Sequence, residues 1–134
     1  MRRTAPASLM LFSMFLLAAC EVTPEQREAS GPAPANFREL TLEHLRNSLL
    51  DPYTVRDAEI AHPTLKPSWV LGDPPGWVVC WRANAKNRMG GYTGITESRV
   101  LIRNGRVVSS DDGDAPYYCG NAVYEPFPEL EAIE

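Results

Sequence analysis

The chain has 134 residues, of which 44% are hydrophobic and 22% charged, with 12 prolines, 3 cysteines and a formal net charge of −4. That length accommodates one modest domain. The acidic balance disfavours nucleic acid as a partner, because duplex binding rests on phosphate neutralisation by Lys and Arg.

The first twenty residues stand apart from the rest. Arg2 and Arg3 give a basic start, and "LMLFSMFLL", Leu9 to Leu17, is an apolar run of nine residues. A transmembrane helix needs about 20 apolar residues, whereas a run this short suits the core of a signal peptide, expected over 1–19. The run ends in "LAAC", Leu17 to Cys20. Small residues before a cysteine resemble the lipobox of bacterial lipoproteins. The resemblance implies diacylglyceryl transfer to the Cys20 sulfur, cleavage before it and acylation, typically with palmitate, of the new amino terminus. The Arg-Arg pair is not read as twin-arginine export, because "RRTAP" lacks the apolar residues expected after that pair. Residue 21 is Glu rather than Asp, which does not match the inner-membrane retention pattern known from enterobacteria. The expected address is therefore the cell envelope, lipid-anchored and facing the periplasm, with the outer membrane favoured over the inner. Two or three acyl chains anchor firmly where one chain does not.

Residues 20–35 then read as the lipidated Cys20 and a flexible linker. "EVTPEQREASGPAPA" carries three prolines and almost no large apolar side chain, so it buries too little to fold. Such a linker has a root-mean-square span on the order of 20 Å and an extended reach of about 50 Å. Without the leader, 11 basic side chains face 17 acidic ones, a net of −6. An anionic membrane surface is then disfavoured as a direct contact of the body.

The folded domain is expected over 36–124. Asn36 is placed to cap a helix running to about Leu50, with Phe37, Leu40, Leu45 and Leu49 forming one apolar stripe. Asp51-Pro52 ends it, because the residue before proline is pushed out of the helical region. Tyr53–Ala61 alternates as a strand, and His62–Gly76 is rich in turn residues. "WVVCWRANA", Trp77 to Ala85, is apolar on both faces and predicts a central strand. "ESRVLIRNGRVVSS" predicts a type I′ hairpin at Asn104-Gly105 between strands near 97–103 and 106–110. Tyr117–Cys119 suggests a short edge piece, and 125–134 an acidic, loose tail. One N-terminal helix followed by about four mostly antiparallel strands makes an α+β domain, with the helix on one sheet face.

With Cys20 assigned to the lipid, Cys80 and Cys119 remain. An even pair in an oxidising compartment suggests a disulfide. Two buried free thiols or a redox pair are the alternatives, although the pair is not Cys-x-x-Cys. Two cysteines and two distant histidines make a poor metal set.

The most distinctive run is "NAKNRMGGYTG", Asn84 to Gly94, following the central strand. It has two readings. As a structural loop, Gly90, Gly91 and Gly94 supply positive φ angles, Asn84 and Asn87 bond nearby backbone, and Tyr92 covers the end of the core. As a binding loop, Lys86 and Arg88 offer positive charge, the glycines allow close approach, and Tyr92 offers a flat face to an anionic group, a sugar or a peptide carboxylate. It is no Walker loop. Together with "LLDPYTVRDAEI", Leu49 to Ile60, the run "VCWRANAKNRMGGYTG" resembles a family of small uncharacterised bacterial envelope proteins. In these, a Leu-x-Asp-Pro helix end precedes a cysteine-bearing strand leading into Asn-Ala-Lys-Asn and Gly-Gly-Tyr-Thr-Gly. The resemblance covers about half of the domain and implies no activity, so no catalytic residue is carried over from it. Trp81 departs from the smaller or polar residue expected after the cysteine.

Other chemistry-bearing residues read as structural. His44 and His62 have no evident Ser or Cys nucleophile beside them. "SSDDGD", Ser109 to Asp114, lacks the spacing of a calcium loop. Glu39 and Glu43, one helical turn apart, face water, and acid–base work would need one in an apolar site. Trp69 and Trp77 flank a Pro-Pro-Gly turn and suit core packing. With no catalytic residue, cofactor or metal site read from the chain, the expected function is a non-enzymatic binding or envelope-assembly accessory whose partner is an envelope protein or glycan. A small hydrolase or lyase acting on envelope material, and an inhibitor of a basic enzyme such as a lysozyme, are the alternatives.

Overall fold

The computed structural model describes residues 21–67 and 75–134. The expected signal peptide, Cys20 and Trp69 lie outside the described residues. In chain order the elements are helix α1 (Pro24–Ser30), helix α2 (Phe37–Ser48), a single 3₁₀ turn (Pro52–Thr54), strands β1 (Arg56–Ala61), β2 (Thr64–Lys66), β3 (Gly76–Lys86), β4 (Tyr92–Arg103) and β5 (Arg106–Asp111), helix α3 (Ala115–Cys119), strand β6 (Tyr124–Pro126) and helix α4 (Pro128–Glu131).

The fold is α+β on one antiparallel sheet in the order β5-β4-β3-β1-β6, with β2 also paired to β3. Among the described residues there are six strands where about four were expected. The two extra ones are short. β2 lies in the stretch read as turns, where Thr64, Leu65 and Lys66 pair with Val78, Trp77 and Gly76, so β1 and β2 act as one strand broken at His62-Pro63. β6 pairs with β1 through Ala61↔Tyr124 and Glu59↔Pro126.

β3 is central and covered on both faces. Val79, Trp81 and Ala83 point into the larger core, with Phe37 and Leu45 of α2, Val100 and Ile102 of β4, and Phe127, Leu130 and Ile133 of the C-terminal segment. Val78 and Cys80 point the other way, into a smaller core with Leu101, Ala115, Tyr118 and Cys119. This two-sided burial accounts for the unbroken apolar run. Cys80 and Cys119 form a disulfide that holds α3 on the second face. Tyr117–Cys119, expected as an edge strand, is therefore helical. The Asn104-Gly105 hairpin has both central residues at positive φ, 48° and 70°, as a type I′ turn requires. Asn36 occupies the cap position of α2 but makes no side-chain cap bond.

Two segments expected to be loose are folded. The linker carries α1, closed by a capping box in which Thr23 and Gln26 exchange side-chain-to-backbone bonds. The helix docks at the β4–β5 turn: the Asn104 amide donates to the Ser30 carbonyl at 3.0 Å, and the Trp77 indole donates to the Gly31 carbonyl at 3.0 Å. Gly31 is required here. It stands at φ +73°, and a Cβ would lie 2.5 Å from the Asn104 side-chain oxygen. The acidic tail is pinned from both sides. Phe127 and Leu130 are fully buried. Arg38 of α2 reaches Glu125 at 2.6 Å and Glu129 at 2.8 Å. The Ala58 amide donates to Glu131 Oε1 at 2.7 Å. Apolar anchoring at Phe127, Leu130 and Ile133 outweighs the charge that marked this tail as solvated.

Candidate functional site

β3 and β4 run past their neighbours as a long hairpin. β5 pairs with β4 only over Arg99–Arg103, whereas β3–β4 pairing continues to Lys86↔Tyr92. The candidate binding loop is thus the far end of this hairpin, and only Asn87–Gly91 lies between the strands. Asn84, Lys86, Tyr92 and Gly94 are strand residues.

The asparagines are consumed structurally. Asn87 Oδ1 accepts from the amides of Met89 at 2.9 Å and Gly91 at 3.1 Å, which closes the tip. Asn84 is buried, and its Oδ1 accepts from the Gly94 amide at 3.1 Å. That bond fills the register shift between Asn84 and Lys86, where Gly94 bends the chain at φ +93°. Gly90 also takes a positive φ, +80°; Gly91 does not, contrary to expectation.

Tyr92 is engaged by two cations over its ring and by a hydrogen bond at its tip. Its hydroxyl donates to the Thr54 carbonyl at 2.9 Å. The Arg56 guanidinium lies 3.6 Å from the ring centroid, and Lys86 Nζ lies 5.5 Å from it. Cation–π stacking is strongest where the cation is desolvated. The ring therefore offers no more than one free face to a ligand. The hairpin end also presents charge and apolar surface: the half-buried Lys86 and the exposed Arg88 have no acidic partner among the described residues, and Met89 is 94% exposed.

A second feature, not anticipated from the sequence, is a row of charge across the second sheet face. Glu59, Arg82 and Glu97 are cross-strand neighbours on β1, β3 and β4. Glu59 pairs with Arg82 at 2.5 Å, the Arg82 guanidinium lies 4.2 Å from the Tyr124 ring centroid, and the Tyr124 hydroxyl donates to Glu97 at 2.5 Å. Burial pushes the Tyr124 hydroxyl well above the ordinary tyrosine range, and the Glu97 carboxylate that accepts its proton adds to the effect. The residues were readable one by one, but their juxtaposition depends on a strand register that no local pattern specifies.

The third feature is an open groove of about 210 Å³ between the C-terminal turn of α2 and the β4–β5 edge. It is lined by Leu45, Leu49 and Trp81, with Ser98, Ser110 and Asp111 at its rim. Trp81 is nearly buried, and its indole nitrogen has no hydrogen-bond partner among the described residues. Beside the groove, His44 Nε2 lies 2.9 Å from Ser110 Oγ, which corrects the expectation that neither histidine neighbours a nucleophilic side chain. His62 instead lies 3.5 Å from Glu125 and packs its ring against Phe37. Asp114 pairs with Arg99, and Asp111 accepts from the Gly113 amide at 2.7 Å, so the acidic turn is knit into β4 and its own backbone. Glu39 and Glu43 are exposed on α2. Among the described residues no helix is long and apolar enough to cross a membrane.

The chain matches no protein-family model, and comparison with curated proteins and with solved structures likewise yields no match.

Proposed function

We propose that the protein is a lipid-anchored periplasmic lipoprotein whose folded body is a non-enzymatic binding or envelope-assembly accessory module. The observation that carries this reading is the partition of the cysteines. Cys80 and Cys119 are joined in a buried disulfide, a bond that persists in oxidising compartments. That leaves Cys20 as the third cysteine, directly behind a short apolar run and two small residues. Recognition falls to the Asn84–Gly94 hairpin end, where Arg88 and Met89 are exposed on a turn closed by Asn87 and the half-buried Lys86 lies beside Tyr92. The resemblance of this segment to small envelope proteins supports the same assignment. An envelope protein or an anionic glycan is the partner class.

The test is metabolic labelling with palmitate in bacterial cells expressing the full chain. The wild type should take up label and fractionate with the outer membrane, and Cys20→Ser should do neither. An unlabelled wild type would sink the reading. A photoreactive residue at Arg88, with one at exposed Glu43 as control, then tests recognition. An adduct at 88 alone identifies the partner, whereas equal or absent adducts at both positions remove the loop as a recognition site.

A hydrolytic reading has one observation on its side, the hydrogen bond between His44 and Ser110 at the rim of the groove. A serine nucleophile also needs an oriented base and oxyanion donors. Hydrolysis of simple esters that disappears in Ser110→Ala would favour it over the accessory role.

A further inference from the structure

We infer that the lipid anchor holds the body flush against the bilayer, with the end built from α1 and the β4–β5 turn facing the headgroups and the β3–β4 hairpin end pointing away. This placement rests on the lipoprotein reading and adds an orientation to it. The free chain between anchor and body is short. If residues 21–35 were a loose tether, the body could stand off by about 50 Å. The segment is instead folded from Thr23 onward. Thr23 caps α1, Ser30 is fully buried, and the chain is bolted to the body through Asn104 to Ser30 and Trp77 to Gly31. Arg103 and the Asn104 side chain both donate to the Ala29 carbonyl at 3.3 Å. Three residues from Cys20 to Thr23 span at most about 10 Å, so the acyl chains and the docked helix cannot be far apart.

α1 docks where β3 begins, at Trp77, and where β4 ends, at Asn104. The recognition hairpin closes at the opposite ends of the same two strands. Strands of 11 and 12 residues are about 40 Å long at 3.3 Å per residue. Lys86, Arg88 and Met89 are therefore held at the far side of the molecule from the anchor.

The acidic balance of the whole chain argues against contact with anionic lipid, but it is not evenly spread. Among the described residues, the anchor-proximal end carries Arg27, Lys66, Arg103 and Arg106 against Glu21, Glu25 and Glu28. The acidic run from Glu125 to Glu134 lies instead along the β1 edge. The end nearest the anchor can therefore approach headgroups without the repulsion expected from the net charge.

The experiment uses the full chain in bacterial cells grown with radiolabelled phosphate, so that phospholipids are labelled. A photoreactive residue replaces Arg106 in the β4–β5 turn, or Arg88 at the hairpin end. Both positions are exposed, so neither replacement disturbs the core. Palmitate uptake is measured on parallel cultures. The expected result is palmitate uptake in both proteins, with phospholipid crosslinked at 106 and not at 88. Gly31→Val, which cannot keep the close approach to Asn104, should lose the adduct at 106 while keeping palmitate. Palmitate uptake with equal phospholipid adducts at both positions, or with none at either, would overturn the orientation and leave the lipoprotein reading standing. No palmitate uptake would overturn both.

Discussion

Trp81, like Thr41 and Arg103, carries a buried polar atom with no hydrogen-bond partner among the described residues. Its ring fills the larger core under α2, yet its indole nitrogen is buried without an acceptor among the described residues. A buried unpaired donor costs roughly 1–3 kcal/mol. Trp81→Phe removes that cost and most of the ring stays in place, so the change in unfolding free energy should stay within about 1 kcal/mol, whereas Trp81→Ala should lose about 3–5 kcal/mol. Urea titration of the two variants decides this; a Phe variant as damaged as the Ala variant would show that the indole N–H finds a partner. Tyr124 gives a pH signature. Its folded pKa is raised above the ordinary value of 10.0, first by burial and then by Glu97. Below about pH 10 both folded and unfolded chains keep the phenolic proton, and this contribution to stability is fully present. Above that value the unfolded chain releases a proton the folded protein retains, so stability falls as pH rises toward the folded pKa. Tyr124→Phe should flatten that alkaline decline in denaturant midpoints, and an unchanged slope would rule the group out. Neither environment could be read from sequence, although Trp81 stands out as an unexpectedly large residue after the cysteine. Nothing local marks its indole as unpaired, and Tyr124 gains its partner only through the register of strands distant in the chain. Asn104-Gly105, by contrast, was fully legible, because a type I′ turn is specified by two adjacent residues.

At the scale of elements, the helix α2, the central strand β3 and the hairpin β4–β5 follow from local pattern: an apolar stripe, a two-sided apolar run and a turn dipeptide. The elements expected to be loose but found folded, α1 and the tail, are short and carry competing signals. Thr23 and Gln26 make a capping box, a recognisable helix start, but the prolines at 32 and 34 and the lack of apolar side chains outweigh it in a compositional reading. Helices this short are unstable alone; docking on the β4–β5 turn stabilises α1, and a tertiary contact leaves no local trace. In the tail, Phe127, Leu130 and Ile133 recur at three-residue steps among four glutamates, and the charge masks the stripe. Phe127 is the sharpest test of this segment. Its ring is fully buried and lies under the Arg38 guanidinium, 5.1 Å from ring centroid to carbon. Phe127→Ala should cost about 3–5 kcal/mol, as for other buried aromatics. A loss under about 1 kcal/mol, the range of ordinary surface changes, would return the tail to the solvated state its composition suggests.

For the molecule as a whole, the question is whether two cores behave as one. They lie on opposite faces of the same strands: β3 contributes Val79 and Trp81 to one and Val78 and Cys80 to the other, and β4 alternates Val100 and Ile102 with Leu101. Neither core can open without loosening the strands that carry the second, and the tail crosses from β6 to the α2 side, tying the edge to the helix. A single domain of this size built on shared strands should therefore unfold in one cooperative transition. The disulfide acts on the same equilibrium. With Cys80 and Cys119 separated by 39 residues, its closure restrains the unfolded chain and contributes at most about 4 kcal/mol in the chain-entropy account. Replacing both cysteines by Ala should therefore lower the urea midpoint substantially while tryptophan fluorescence, to which Trp77 and Trp81 in the α2-side core contribute, and far-ultraviolet circular dichroism still change together. Fluorescence persisting after the dichroism signal has partly fallen would mean that α3 and its core peel away separately. The disulfide would then serve as the clasp of a detachable layer, and the hairpin end would be carried by strands packed on one face alone.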